Sequence, residues 1–273
     1  MAIEEGLFWA KDGERLFYRL QQGNPSRHPF ILVHGHGEHS GRYVKFFENL
    51  RNFDGTIAAF DLRGCGRSSG EAVYVSNFQD FLADLTSFIE FLNLRFQIKA
   101  PIQLFGHSLG GLIAVAWARE NEARISKLIL SSPLMGLPSE ALVRCFGRLL
   151  NPICPHWVLK NPVKANLLTH DPDEIAKYRR DPLIRRKITV RLSFEMLRYL
   201  SFLRESKITF SFPVYILMAE RDFIVAPQAT HKFFAMLESP DKQLESFADF
   251  YHEIFNETGQ NKAFERLRYY LLK

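Results

Sequence analysis

The sequence predicts an α/β fold, a mostly parallel sheet flanked by helices, and three observations carry that prediction. Short apolar runs at 30–33, 56–60, 101–105, 128–131 and 213–219 read as strands, and 243–247 as another short strand. Longer segments with one apolar face at helical spacing separate the first of them, and such alternation marks a parallel sheet covered on both sides. The third observation is the run Leu104-Phe105-Gly106-His107-Ser108-Leu109-Gly110-Gly111, which stands where one strand passes into a helix.

Taken in order, residues 6–20 form an opening hairpin that turns at Asp12-Gly13. Phe30-Ile31-Leu32-Val33 is a strand, 43–53 a helix, and 56–60 a strand. The next helix, 77–96, places Phe78, Phe81, Leu82, Leu85, Phe88, Ile89 and Leu92 on one face, a stripe that belongs in a core. A strand at 101–105, a helix running through 112–118, and a strand at 128–131 follow. The alternation then stops. Residues 136–205 show no clear strand and several helix-like pieces broken at Pro138, Pro152, Pro155, Pro162, Pro172 and Pro182. The expectation is a core of 1–135 and 206–273, with a helical cap, or lid, of 136–205 inserted after the strand that follows the helix behind Ser108. A buried strand at 213–219, a short strand at 243–247 and a C-terminal helix at 259–272 complete the core.

At 273 residues the chain holds one large core with room for such an insertion and no second full domain. No uncharged apolar stretch reaches 18 residues, so no bilayer span is expected. The start carries Glu4 and Glu5 and no apolar segment of signal-peptide length. Cys65, Cys145 and Cys154 are odd in number and unpaired by spacing, so a cytoplasmic, reducing setting is expected. Residues 136–200 hold 12 Lys+Arg against 6 Asp+Glu, an excess of +6, while the whole chain is +5. A basic cap suits an anionic membrane surface or a phosphate-bearing lipid; a solvated run such as Arg185-Arg186-Lys187 accounts for the charge as well. The cap's first helix, 141–150, has Leu142, Val143, Cys145, Phe146, Leu149 and Leu150 over more of its circumference than one core-facing stripe needs. No nucleic-acid motif is present, and no nucleic-acid partner is expected.

Gly106-His107-Ser108-Leu109-Gly110 reads as Gly-x-Ser-x-Gly at a sharp strand-to-helix turn, where small flanking residues let the chain double back and leave Ser108 Oγ exposed as a nucleophile. A serine also caps helices, but capping does not require a glycine on each side. Serine is a weak nucleophile at neutral pH and needs a base and a group to orient that base. Downstream, the strand 213–219 ends in Glu220-Arg221-Asp222, and the strand 243–247 is followed by Tyr251-His252-Glu253. Active-site groups collect at such carboxyl ends, so Asp222 is assigned as the acid, with Glu220 as its competitor, and His252 as the base. The loop His34-Gly35-His36-Gly37-Glu38-His39 after the first core strand offers the His36 N–H to an oxyanion, and Leu109 offers a second. Its histidine spacing also resembles that of a zinc hydrolase, but the remaining histidines supply no paired ligands at later strand ends. The triad reading needs no metal and no cofactor.

The loop His34-Gly35-x-Gly37-Glu38-His39-Ser40-Gly41-Arg42-Tyr43 resembles the signature of the monoacylglycerol lipase and lysophospholipase family of α/β-hydrolases. Asp61-Leu62-Arg63-Gly64-Cys65-Gly66-Arg67-Ser68, Gly106-His107-Ser108-Leu109-Gly110-Gly111, Ser132-Pro133-Leu134 and Tyr251-His252-Glu253 are similar to further family segments. The resemblance implies the triad Ser108, Asp222 and His252 and an acyl-ester lipid substrate. It also implies head-group contacts from Arg42, Glu174 and Tyr178. Phe255 departs from members that carry a second histidine there, and Leu109 replaces a more usual methionine. The expected function is hydrolysis of monoacylglycerol through an acyl-enzyme. Lysophospholipid hydrolysis, a carboxylesterase for short soluble esters and a non-catalytic binding module on the same fold are the alternatives.

Overall fold

The computed structural model describes residues 2–138, 140–160 and 163–273, so the break read at Pro162 lies outside the described residues. The opening hairpin is β1 (Glu4–Trp9) with β2 (Arg15–Gln21), paired antiparallel. Alternation then runs through β3 (Phe30–Val33), α1 (Val44–Asn49), β4 (Ile57–Phe60), α2 (Gln79–Phe96), β5 (Ile102–His107), α3 (Leu109–Glu120) and β6 (Ile125–Ser131). The segment after β6 holds α4 (Glu140–Leu150), β7 (Val158–Lys160), α5 (Pro172–Arg180), β8 (Lys187–Thr189) and α6 (Val190–Glu205). The chain returns through β9 (Val214–Ala219), α7 (Pro227–Met236), β10 (Lys242–Phe247) and α8 (Asn261–Leu272).

Eight strands make one sheet in the order β1-β2-β4-β3-β5-β6-β9-β10. Only β1–β2 and β2–β4 pair antiparallel; every neighbour from β4 to β10 is parallel. The central strands are buried on both faces, which is why they read as continuous apolar runs. Side-chain alternation along β5 sends Leu104 into one apolar layer, with Phe88 and Trp117, and Phe105 into the other, with Phe46, Phe255 and Phe264. The α2 stripe is buried as expected, and buried Asp84 beside it is gripped by Arg63 Nε and Nη2 at 2.7 and 2.5 Å.

Three departures have local causes. β5 runs two residues past its expected end, because Gly106 and His107 keep their ladder partners on β6 and the chain bends only at Ser108. Pro172 opens α5 instead of breaking a helix: Asp171 caps it by accepting the Asp173 and Glu174 N–H groups. The cap also contains an antiparallel pair, β7 with β8, where no strand was expected; three residues per strand are too few to show a period of two. Among the described residues no helix is long and apolar enough to cross a membrane.

Candidate active site

The parallel strands deliver their carboxyl ends to one edge of the sheet. At the end of β5, Ser108 has φ 52° and ψ −118°, a conformation a non-glycine residue holds only where its surroundings impose it. The surroundings are tight. A Cβ on Gly106 would lie 2.3 Å from Gly110 O, and one on Gly110 would lie 2.2 Å from Val33 O, so neither position accepts a side chain. Ser108 N–H donates to Ser131 O at 3.1 Å, and Ser108 O accepts from Leu134 N at 2.9 Å, tying the elbow to β6 and the loop after it.

Asp222 and His252 come from the ends of β9 and β10. His252 Nδ1 donates to Asp222 Oδ2 at 2.6 Å, while Asp222 Oδ1 accepts from Ile224 N and Val225 N at 2.8 and 3.0 Å. Both side chains are almost fully buried. Because Nδ1 carries the proton toward the carboxylate, the neutral ring presents its lone pair at Nε2. Burial lowers the pKa of His252, but the charge and hydrogen bond of Asp222 outweigh it, and the net shift is upward. Glu220 is held elsewhere, accepting from His231 Nε2 at 3.0 Å. No hydrogen bond joins Ser108 Oγ to His252 among the described residues; such contacts tighten when substrate binds.

The loop after β3 runs beside the elbow: a Cβ on Gly35 would lie 3.2 Å from Ser108 Cβ. Neither the His36 N–H nor the Leu109 N–H is engaged by another acceptor in the described chain, which leaves both available as donors. The histidines of this loop are engaged with the protein. His34 accepts the Leu62 N–H at Nε2 (2.9 Å) and donates from Nδ1 to Gly35 O (2.7 Å), and burial pushes its pKa down. His39 accepts from Gly41 N and donates to Asp181. With both nitrogens of each ring occupied, neither has a lone pair for zinc, and no group of three metal-binding side chains is assembled among the described residues.

A buried ionic network lies behind the loop. Glu38 Oε1 accepts from Gly35 N and Tyr43 Oη, both at 2.6 Å, and Arg42 bridges Glu38 and Glu253, gripping the latter bidentately at 2.6 and 2.7 Å. Burial raises the pKa of Glu38, but Arg42, His107 and His34 outweigh it and hold it down at about 2. Arg42 also stacks over the Tyr178 ring at 5.0 Å, and Glu174 is held by Lys45 (3.1 Å) and Lys177 (2.7 Å). The three residues implied as head-group contacts thus share one region. The Arg42 and Glu174 charges are already neutralised, and the Tyr178 hydroxyl is the group without a hydrogen bond among the described residues. Phe255 packs among Phe46, Phe105 and Phe264.

Sequence reading missed Glu38, Glu253 and Glu257. The buried Glu257 carboxylate accepts from Tyr251 N and from His170 on the cap. The Arg42–Glu253 and His170–Glu257 pairs, 211 and 87 positions apart, leave no local signal.

The sheet order, the elbow and the strand-end carboxylate–imidazole pair are those of the α/β-hydrolase class. The chain belongs to the Hydrolase_4 family, described as serine aminopeptidase S33, whose pattern matches residues 24–259. The uncharacterized protein YnbC of Escherichia coli is 27% identical over 98% of this chain; the chain spans only 46% of that protein's length. Rat monoglyceride lipase is 30% identical over 251 residues, covering 90% of this chain and 82% of that enzyme. The crystal structure of Paleococcus ferrophilus monoacylglycerol lipase is 30% identical, with TM-score 0.85 and coverage of 94% and 98%. The resemblance to monoacylglycerol lipases therefore holds over nearly the whole chain.

Proposed function

We propose that this protein is an ester hydrolase that cleaves monoacylglycerol by a Ser108–His252–Asp222 triad. The observation that carries the reading is the 2.6 Å bond from His252 Nδ1 to Asp222, made at strand ends beside a serine held at positive φ. In this mechanism His252 Nε2 takes the Ser108 proton as Oγ attacks the ester carbonyl, and Asp222 stabilises the resulting imidazolium. The oxyanion is met by the N–H groups of His36 and Leu109, and His252 protonates the leaving glycerol oxygen. Water, deprotonated by the same histidine, then releases the fatty acid from Ser108. For the head group, the Tyr178 hydroxyl makes the direct contact, with Arg42 and Glu174 fixing its surroundings.

The monoglyceride lipases among the relatives support the substrate class. The neutralised Glu174 supports an ester over a peptide with a free amino terminus, since Lys45 and Lys177 already hold that carboxylate. The cap bears on where the enzyme works. Leu142, Phe146 and Leu149 on α4, with Ile153 and Trp157 beyond it, are each more than half exposed, with Ile153 at 81%. Exposed Arg148, Lys160 and Lys164 accompany them. Lys160 also sits directly across from Lys187 on the β7–β8 pair, a repulsion that an anionic surface relieves. This supports peripheral contact of the cap (136–205) with an anionic lipid surface. The lysophospholipase reading draws on the same basic cap. Comparison of monoacylglycerol, lysophosphatidylcholine and a short nitrophenyl ester, with Ser108→Ala as the blank, tests the assignment. A lead for monoacylglycerol is expected, and a lead for lysophosphatidylcholine overturns the head-group assignment.

A further inference from the structure

One residue of the oxyanion loop uses its side chain as well as its backbone, and that side chain reaches the cap. His36 Nε2 lies 3.1 Å from Lys187 O. A carbonyl only accepts, so the ring must carry its proton at Nε2, and burial keeps the imidazole neutral by pushing its pKa down to about 4. Next to it, the Arg185 N–H donates to Gly37 O at 2.7 Å. The approach is so close that a Cβ on Gly37, at φ +70°, would lie 2.3 Å from Arg185 O. Two residues further, His39 Nε2 donates to Asp181 Oδ2 at 2.9 Å. The inner side of the loop is fastened to the core through His34, which accepts from Leu62 N, and Glu38, which accepts from Tyr43 Oη; its outer side is tied to residues 181–187 of the cap. Of these ties, only that of His36 belongs to the residue whose N–H is assigned to the oxyanion.

We propose that the His36 side chain is a positioning residue for the oxyanion hole: its bond to the Lys187 carbonyl fixes the part of the loop that presents the His36 N–H to the oxyanion. A backbone donor is indifferent to the side chain on its own Cα, and alanine there leaves the N–H present. What alanine removes is the tether. β8 begins at Lys187, pairs with the exposed strand β7, and is anchored on its far side by Thr189 Oγ1 donating to Val73 O at 2.8 Å. β8 thus joins the cap surface to the loop beside Ser108 through one continuous backbone. The inference rests on the serine-esterase reading above and deepens it.

The test compares wild type, His36→Ala and His36→Gln on monoacylglycerol, with kcat expressed per site titrated by a fluorophosphonate, and Ser108→Ala, measured per mole of protein, as the blank. His36→Ala is expected to lower kcat about ten- to a hundredfold, below the full loss of a donor, with KM within about twofold. His36→Gln, whose amide N–H reaches the same carbonyl, is expected to restore most of that loss. A merely structural role would lower the titratable fraction or the melting temperature, leave kcat per site unchanged and show no preference for Gln. His36→Ala with wild-type kcat per site, or His36→Gln no better than Ala, overturns the positioning role while Ser108→Ala stays inactive. Retained activity in Ser108→Ala overturns the esterase reading itself.

Discussion

His252 sets the pH behaviour of the site. As a general base it must be neutral, and its pKa is raised above 6.5 because Asp222 outweighs the burial that would lower it. The acid limb of kcat/KM is therefore expected above pH 6.5, activity being lost as pH falls through that raised value. Replacing Asp222 by Asn removes the charge and leaves the burial. The limb should then move below 6.5, and kcat should fall by about four orders of magnitude, as in other Ser-His-Asp sites; a pH–rate series checks both. The same shift stabilises the fold below pH 6.5, and that contribution fades as pH rises through the folded-state pKa. Arg42 makes a second prediction. Arg42→Ala strands Glu38 and Glu253, both buried, and should cost about 3–5 kcal/mol of stability, read from the denaturant midpoint. Sequence alone pointed to Ser108, Asp222 and His252 because each follows an expected strand. It could not foresee that Arg42 faces two carboxylates, one of them 211 positions away.

The elbow and α4 are the elements where local sequence says most about use. The elbow was legible because its constraint is steric and local: Gly106 and Gly110 have backbone where a Cβ would stand. Gly110→Ala should therefore cost about 1–3 kcal/mol or more through overpacking, and should lower activity further by shifting Ser108, measured by melting temperature and by turnover. The surplus apolar face of α4 was legible too, and it remains uncovered, with Leu142, Phe146 and Leu149 exposed. Each fully buried Leu or Phe contributes about 1.5–3 kcal/mol, so Phe146→Ser with Leu149→Ser should weaken vesicle binding by about tenfold or more. Turnover of a short soluble ester should stay unchanged. The β7–β8 pair was not legible, since its six residues are ordered by pairing across an intervening helix and not by their own pattern.

For the whole molecule, the alternation of strand and helix was enough to reach the architecture, because buried parallel strands must be apolar on both faces. What alternation cannot give is which loops meet, and that decides the site: the cap touches the oxyanion loop through residues 181–187 and the segment 253–257 that follows His252 through Leu168, Thr169 and His170. The basic excess sits in this same cap, so binding to vesicles with anionic lipid should exceed binding to neutral vesicles and weaken as salt rises, which flotation at several ionic strengths would measure. The most direct measurement of Ser108 as the nucleophile is the release of fatty acid from monoacylglycerol by wild type and Ser108→Ala, with mass spectrometry of the fluorophosphonate-labelled wild-type peptide. Hydrolysis by wild type, label on Ser108 and loss of about 10⁴-fold or more in the variant are expected. Hydrolysis that survives Ser108→Ala, or label on another residue, would contradict that role.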